Sequence, residues 1–134
     1  MPQAKAAVIR SDLDIVIART LARDTAKELG FGAIDQARIA TAVSELARNI
    51  FLYAGTGSVT VRGIEQNARK GIEIVCEDQG PGIADIELAM RDGYTTSRGM
   101  GMGLPGAKRL MDEFVIETQQ NVGTTITCRK WRAS

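Results

Sequence analysis

The sequence predicts an α+β fold, a two-layer sandwich in which a mostly antiparallel, mixed sheet is covered on one face by helices. Three observations lead there. Apolar residues recur at helical spacing through two long segments that precede Gly55. From Ser58 onward the period changes to alternation, the mark of half-buried strands, and alternation returns from Phe114. Between the two alternating regions lies a polar, glycine-rich stretch that ends in a further helical pattern.

Residues 4–10 read as a short first strand at a sheet edge. Ser11, with Asp12 and Asp14 behind it, is a helix N-cap followed by acidic residues at the positive end of the helix dipole. Leu13, Val16, Ile17, Thr20, Leu21 and Leu29 then keep helical spacing, and Gly30 is a C′ stop. After the joint at Phe31 and Gly32, a second helix is expected over about 33–53, closed by Gly55, Thr56 and Gly57. Residues 59–65 and 71–78 are strands, and the polar link 66–70 is a hairpin loop. On the later strand Ile72, Ile74, Cys76 and Asp78 share one face while Glu73 and Glu77 share the other. A carboxylate therefore stands at the end of the buried face. Gln79-Gly80-Pro81-Gly82 turns the chain, and a short amphipathic helix over 84–91 and a polar run over 92–98 follow. The glycine run from Gly99 to Gly106 leads into a helix ending near Asp112, and residues 114–118 and 124–131 close the chain as a hairpin.

Bulk properties narrow the function classes. The 134 residues fit one domain, 1–134, and 44% hydrophobic with 25% charged residues is a globular balance. A net charge of +1 and 4% aromatics give neither a field nor a stacking platform for nucleic acid, and no basic run for a membrane surface. No apolar run approaches the roughly 20 residues of a bilayer span, and no signal peptide is legible, so a cytoplasmic location is expected. The chain has no histidine, which excludes Ser-His or Cys-His nucleophile pairs, histidine metal sites and histidine autophosphorylation within it. Cys76 and Cys128 lie in apolar strands and are expected to be buried reduced thiols.

Three motifs carry chemistry. Glu45 and Asn49, four apart on the second helix, share a face beside Ile39, Val43, Leu46 and Ile50. They are either a buried hydrogen-bonded pair or a proton acceptor next to a metal ligand. Asp78-x-Gly80-x-Gly82 offers either a capping aspartate in a tight turn or an acceptor for an exocyclic amine, with glycines that let a ring lie on the backbone. Gly99-x-Gly101-x-Gly103 ends where a helix begins, and amides there favour phosphate. A plain flexible loop explains that run equally well, and it is neither a dinucleotide fingerprint, which needs a strand leading into it, nor a loop with a Walker lysine.

Taken in order, Glu45…Asn49, Asp78-x-Gly80-x-Gly82, Gly99-x-Gly101-x-Gly103 and Gly123-Thr124 resemble the Bergerat (GHKL) ATP-binding fold of gyrase-type topoisomerases, Hsp90, MutL and histidine kinases. Within it the chain is similar to the small bacterial serine/threonine switch kinases of the RsbT type, which act in the stressosome, and to anti-sigma-factor kinases. Glu28-Leu29-Gly30-Phe31-Gly32, Ser44 to Asn49, and Gly103-Leu104-Pro105-Gly106 followed by residues 108–114 carry that resemblance.

The resemblance implies that Asn49 ligates Mg²⁺ and that Glu45 is the general base for attack on the γ-phosphate of ATP. It implies that Asp78 holds the adenine amine, with Gly80 and Gly82 beside the ring and Thr124 supporting the contact. Gly99, Gly101, Gly103 and Leu104 would form the phosphate loop, residues 83–98 a lid over the nucleotide, and Arg98 a phosphate contact or a solvated arginine. Many members carry a basic residue three positions after the asparagine; Leu52 stands there, which leaves phosphate charge to Mg²⁺ and amide donors. The implied function is phosphorylation of STAS-domain antagonist or scaffold proteins, followed by a change of partner that activates a PP2C-type phosphatase. The alternative is a sequestering regulator, like an anti-sigma factor, whose nucleotide shapes a binding surface.

Overall fold

The computed structural model describes residues 4–83, 90 and 103–133. Strand β1 (Lys5–Ile9) leads into helices α1 (Asp12–Glu28) and α2 (Ala33–Tyr53), then strands β2 (Gly57–Gln66) and β3 (Arg69–Asp78). Helix α3 (Gly103–Leu110) precedes strands β4 (Glu113–Gln119) and β5 (Gly123–Trp131). The described strands form a sheet ordered β1-β2-β3-β5-β4, with every pairing antiparallel and β1 at an edge. The helix expected over 84–91, the polar run 92–98 and most of the lid lie outside the described residues.

The helix ends follow the local chemistry. Ser11 Oγ accepts the Asp14 amide, and the Asp14 carboxylate returns bonds to the Ser11 hydroxyl and the Arg10 amide. At the other end of α1, the Phe31 amide donates to Ala26 and the Gly30 amide to Lys27, a Schellman closure. The face of α1 differs from the spacing of its large apolar residues. Ile15, Ala18, Ala22, Thr25 and Ala26 are buried, whereas Leu13, Val16 and Ile17 are 66%, 45% and 48% exposed. Alanines let the helix approach the sheet closely, and a reading weighted by side-chain size looks past them.

α2 buries Ile39, Val43, Leu46 and Ile50, as its period implies, against Val59 and Val61 of β2 and Ile72, Ile74 and Cys76 of β3. The β2–β3 link is shorter than the loop 66–70: the strands continue to Gln66 and Arg69, and Asn67 and Ala68 turn the chain with φ of 53° and 67°. Those two positive values are a type I′ hairpin, whose twist matches the strands.

The face of the sheet opposite the helices carries Glu73, buried among charges. Its carboxylate takes Arg62 Nε at 2.6 Å on one oxygen and Arg129 Nε at 2.9 Å on the other. Burial works to raise this carboxyl, but hydrogen bonds and charge from the two arginines outweigh it and hold it below the ordinary carboxylate range. Cys76 and Cys128 are free and buried, as expected. No described helix is long and apolar enough to cross a membrane.

Candidate functional site

The candidate residues converge on one end of the sheet and the helices above it. β3 finishes at Asp78, which lies between Gly57 at the start of β2 and Thr124 at the start of β5. The approach is close: a Cβ on Gly57 would stand 2.7 Å from Ile50 Cγ2 of α2, and one on Gly123 would collide with the Asp78 carbonyl oxygen. Asp78 is half-buried, and its Oδ1 accepts the Gly80 amide at 2.9 Å. The capping turn is therefore real and uses one carboxylate oxygen. The other is not hydrogen-bonded by any described residue.

Gly80 and Gly82 are crowded by the protein itself. A Cβ at Gly80 would lie 2.6 Å from that of Ala54 at the end of α2. One at Gly82, whose φ is +80°, would lie 2.7 Å from the Gln119 carbonyl oxygen. This loop is thus pressed between the end of α2 and the β4–β5 turn, where the Asn121 amide donates to the Pro81 carbonyl at 2.8 Å. A hollow of about 340 Å³ opens beside it, with Asp78, Thr118, Gly123 and Thr124 among its walls.

Glu45 and Asn49 are both half-buried on α2. Glu45 does not satisfy Asn49 across the turn. Its Oε2 accepts the amide of Gly103, the first residue of α3, at 3.2 Å. An anionic oxygen thus already sits at this helix N-terminus, where free amides and the dipole favour one. The helix begins at Gly103, where the glycine run ends, with Pro105 in its first turn, where a missing N–H is no loss. Leu104 is buried in the core, so only its backbone is free to face a ligand. The Asn49 carboxamide makes no hydrogen bond with a described residue. Arg98, Gly99 and Gly101 lie outside the described residues.

The donor set bears on Mg²⁺. No group of three or more acidic or cysteine side chains among the described residues could hold a metal by itself. One carboxamide oxygen next to a carboxylate fits an ion that takes most of its ligands from phosphates and water.

One residue of the site is absent from the motifs. The Thr118 hydroxyl accepts the Ile83 amide at 2.9 Å, donates to the Gly123 carbonyl at 3.2 Å and lies 2.9 Å from Thr124 Oγ1. The signal that could have found it is the hairpin register, which sets Thr118 opposite Thr124 across the turn.

Comparison with known proteins identifies the family of the chain. Residues 34–133 match the family described as histidine kinase-, DNA gyrase B- and HSP90-like ATPases. The chain is 56% identical over 123 residues to the serine/threonine-protein kinase RsbT of Bacillus subtilis strain 168, covering 92% of each. It is 32% identical over 120 residues to the anti-sigma F factor of Caldanaerobacter subterraneus, covering 85% of this chain and 82% of that one. Among solved structures, the histidine kinase domain of the blue-light activated kinase from Erythrobacter litoralis EL346 superposes with a TM-score of 0.50 at 17% identity. That match takes in 89% of this chain but 59% of the other, and it speaks to the fold alone.

Proposed function

Because the chain belongs to the family of histidine kinase-, DNA gyrase B- and HSP90-like ATPases, and within it to the serine/threonine-protein kinases, we propose that it phosphorylates STAS-domain antagonist or scaffold proteins of a bacterial stress-signalling complex. On this reading residues 1–134 are a single ATP-binding kinase domain working in the cytoplasm. Phosphorylation of its partner frees the kinase to bind and activate a PP2C-type phosphatase.

The observation that carries the reading is the separation of Glu45 from Asn49. Glu45 faces Gly103 at the start of α3, and Asn49 is left uncommitted one turn along α2. Two groups with different jobs need that separation, whereas a structural pair would bond to each other. Asn49 offers its amide oxygen to Mg²⁺, and Glu45 takes the proton of the attacking serine or threonine hydroxyl as its oxygen bonds to the γ-phosphorus and the bond to ADP breaks. Bound Mg²⁺ supplies neutralisation of phosphate charge, which matters more where Leu52 stands in place of a basic residue. Asp78 accepts from the adenine amine with its uncommitted oxygen, beside Thr124 and above Gly80 and Gly82. The Leu104 amide at the start of α3 takes a phosphate oxygen, the Gly103 amide being committed to Glu45; Gly99, Gly101 and Arg98, the other expected phosphate contacts, lie outside the described residues.

The test is to incubate the protein with labelled Mg-ATP and a STAS-domain protein, then map the label. Phosphate on a serine or threonine of the partner is the expected result. The anti-sigma relative at 32% identity supports a second reading, a sequestering regulator. Stable, nucleotide-dependent partner binding with no label transferred would select that reading and end the first.

A further inference from the structure

Arg48 is half-buried on α2 and makes no hydrogen bond or ion pair with a described residue. It stands three positions after Glu45, a spacing at which a carboxylate and a guanidinium ordinarily pair. Glu45 gives its Oε2 to the Gly103 amide instead. Arg38, the other basic residue of α2, is neutralised by Asp35 at 3.0 Å, which leaves Arg48 as the helix's uncompensated cation among the described residues. Helix geometry says which side of Glu45 this charge occupies. At roughly 100° per residue, Asn49 lies about 40° to one side of Glu45 and Arg48 about 60° to the other. Ala42, Val43, Leu46 and Ile50 are buried on the Asn49 side, so Arg48 is on the side turned away from the core. A long side chain on a helix leans toward the N-terminus, which for Arg48 is over the turn that holds Glu45.

We propose that Arg48 is a specificity-determining residue for the protein acceptor: its guanidinium binds a carboxylate next to the serine or threonine that is phosphorylated, and so brings that hydroxyl to Glu45. On the reading above, the nucleotide lies on the Asn49 side of Glu45, by the start of α3. In-line transfer puts the attacking hydroxyl across the γ-phosphorus from ADP. The outer flank of Glu45, where Arg48 lies, is the side from which a second protein reaches it. A planar guanidinium takes a carboxylate through two parallel N–H···O bonds, which fixes orientation as well as charge. Thr41 and Leu52, which share this face of α2, carry no charge, so recognition of an anion there falls to Arg48.

This rests on the reading of Glu45 and Asn49 as the phosphotransfer pair, and the experiment separates the two. The STAS-domain protein of the labelling assay is titrated by calorimetry into wild type, Arg48→Met, Arg48→Lys and Glu45→Gln, and label transfer is followed as its concentration is varied. Methionine keeps an apolar stem without the charge, so a loss there is not a loss of packing. Arg48→Met weakens acceptor binding and raises the acceptor KM by roughly ten- to a hundredfold, the worth of a hydrogen-bonded charge. Its rate at saturating acceptor and its affinity for ATP stay near wild type. Arg48→Lys recovers part of the loss, and added salt weakens acceptor binding more in wild type than in Arg48→Met. Unchanged acceptor affinity and KM in Arg48→Met, with transfer lost in Glu45→Gln, overturns the role of Arg48 and leaves the phosphotransfer reading standing. A saturating rate that falls while KM holds overturns it too, because that pattern marks a contact made in the transition state. A wild type that transfers no label to the acceptor overturns both.

Discussion

Replacing Glu45 with glutamine separates the contact its carboxylate makes from the chemistry proposed for it. The first is structural: Oε2 accepts the Gly103 amide at 3.2 Å and holds the start of α3 against α2. Glutamine keeps the length and an acceptor oxygen, so this contact survives in weaker, uncharged form. The difference between charged and neutral hydrogen bonds is on the order of 1 kcal/mol, which bounds the effect on folding and on the placement of α3. The second is chemical: a carboxamide cannot take the hydroxyl proton. A positioned general base contributes about 10²- to 10⁴-fold, or roughly 2.7–5.5 kcal/mol of barrier. Ground-state ATP binding should not fall in parallel, because a negative charge is being removed from beside the phosphates. The expected signature of Glu45→Gln is thus a transfer rate down by two to four orders of magnitude (about 10²- to 10⁴-fold) with ATP affinity equal or tighter. That pattern marks an interaction made in the transition state. Single-turnover transfer of labelled phosphate to the protein substrate measures the first quantity, and calorimetric titration of ATP the second. A rate within about threefold of wild type would show that no general base of the usual strength acts at this position. A rate and affinity that fall together would make Glu45 a binding residue.

Asn49→Ala should weaken ATP binding when Mg²⁺ is present by at least the roughly tenfold that loss of even an outer-shell partner costs a metal site, with little effect when the metal is chelated; titrations with and without EDTA decide it. Glu73, whose carboxyl is held low by Arg62 and Arg129, binds its proton less readily folded than unfolded. Its contribution is therefore complete at neutral pH and is lost as the pH falls below the ordinary carboxylate range, through the lowered native value. Chemical denaturation across that range should show a shallower acid limb for Glu73→Gln than for wild type. Burial pushes the Cys128 thiol up to about 12 and the Cys76 thiol well above its ordinary value. Both should resist a thiol-labelling reagent at pH 8 in the native protein and react fully in denaturant.

The parts of the fold that local period controls were legible in the sequence. α2 buries Ile39, Val43, Leu46 and Ile50 because a 3.6-residue repeat leaves no other face to bury. β3 ends on a carboxylate because alternation carries the pattern of Ile72, Ile74 and Cys76 through to Asp78. α1 was less legible: its buried stripe contains Ala18, Ala22 and Ala26, and of its larger residues at helical spacing Leu13, Val16 and Ile17 stay in solvent while Leu21 and Leu29 pack against the core. The β2–β3 turn was misjudged in length because Ala68 adopts a positive φ that alanine rarely takes, so neither Asn67 nor Ala68 carries the glycine that marks a two-residue turn.

What no local pattern could supply is the wiring between the motifs. The Glu45–Gly103 bond spans 58 residues and the Ile83–Thr118 bond 35. These two bonds bracket the stretch from Ile83 to Gly103 and fasten each end of it to a side chain of the site. Motif spacing announces that a carboxylate, a carboxamide and a glycine-rich stretch coexist, which is why the ordered set is informative. It leaves open whether Glu45 turns to Asn49 or to Gly103, because both are within reach of a helix-borne carboxylate, and only the packing of α3 on α2 decides between them. Thr118 was hidden for a related reason. A threonine in an alternating strand is an ordinary strand residue until the register places it against Thr124 and the Gly82 loop brings Ile83 down onto it. A tertiary contact sets the hydrogen-bond partners of each of these residues.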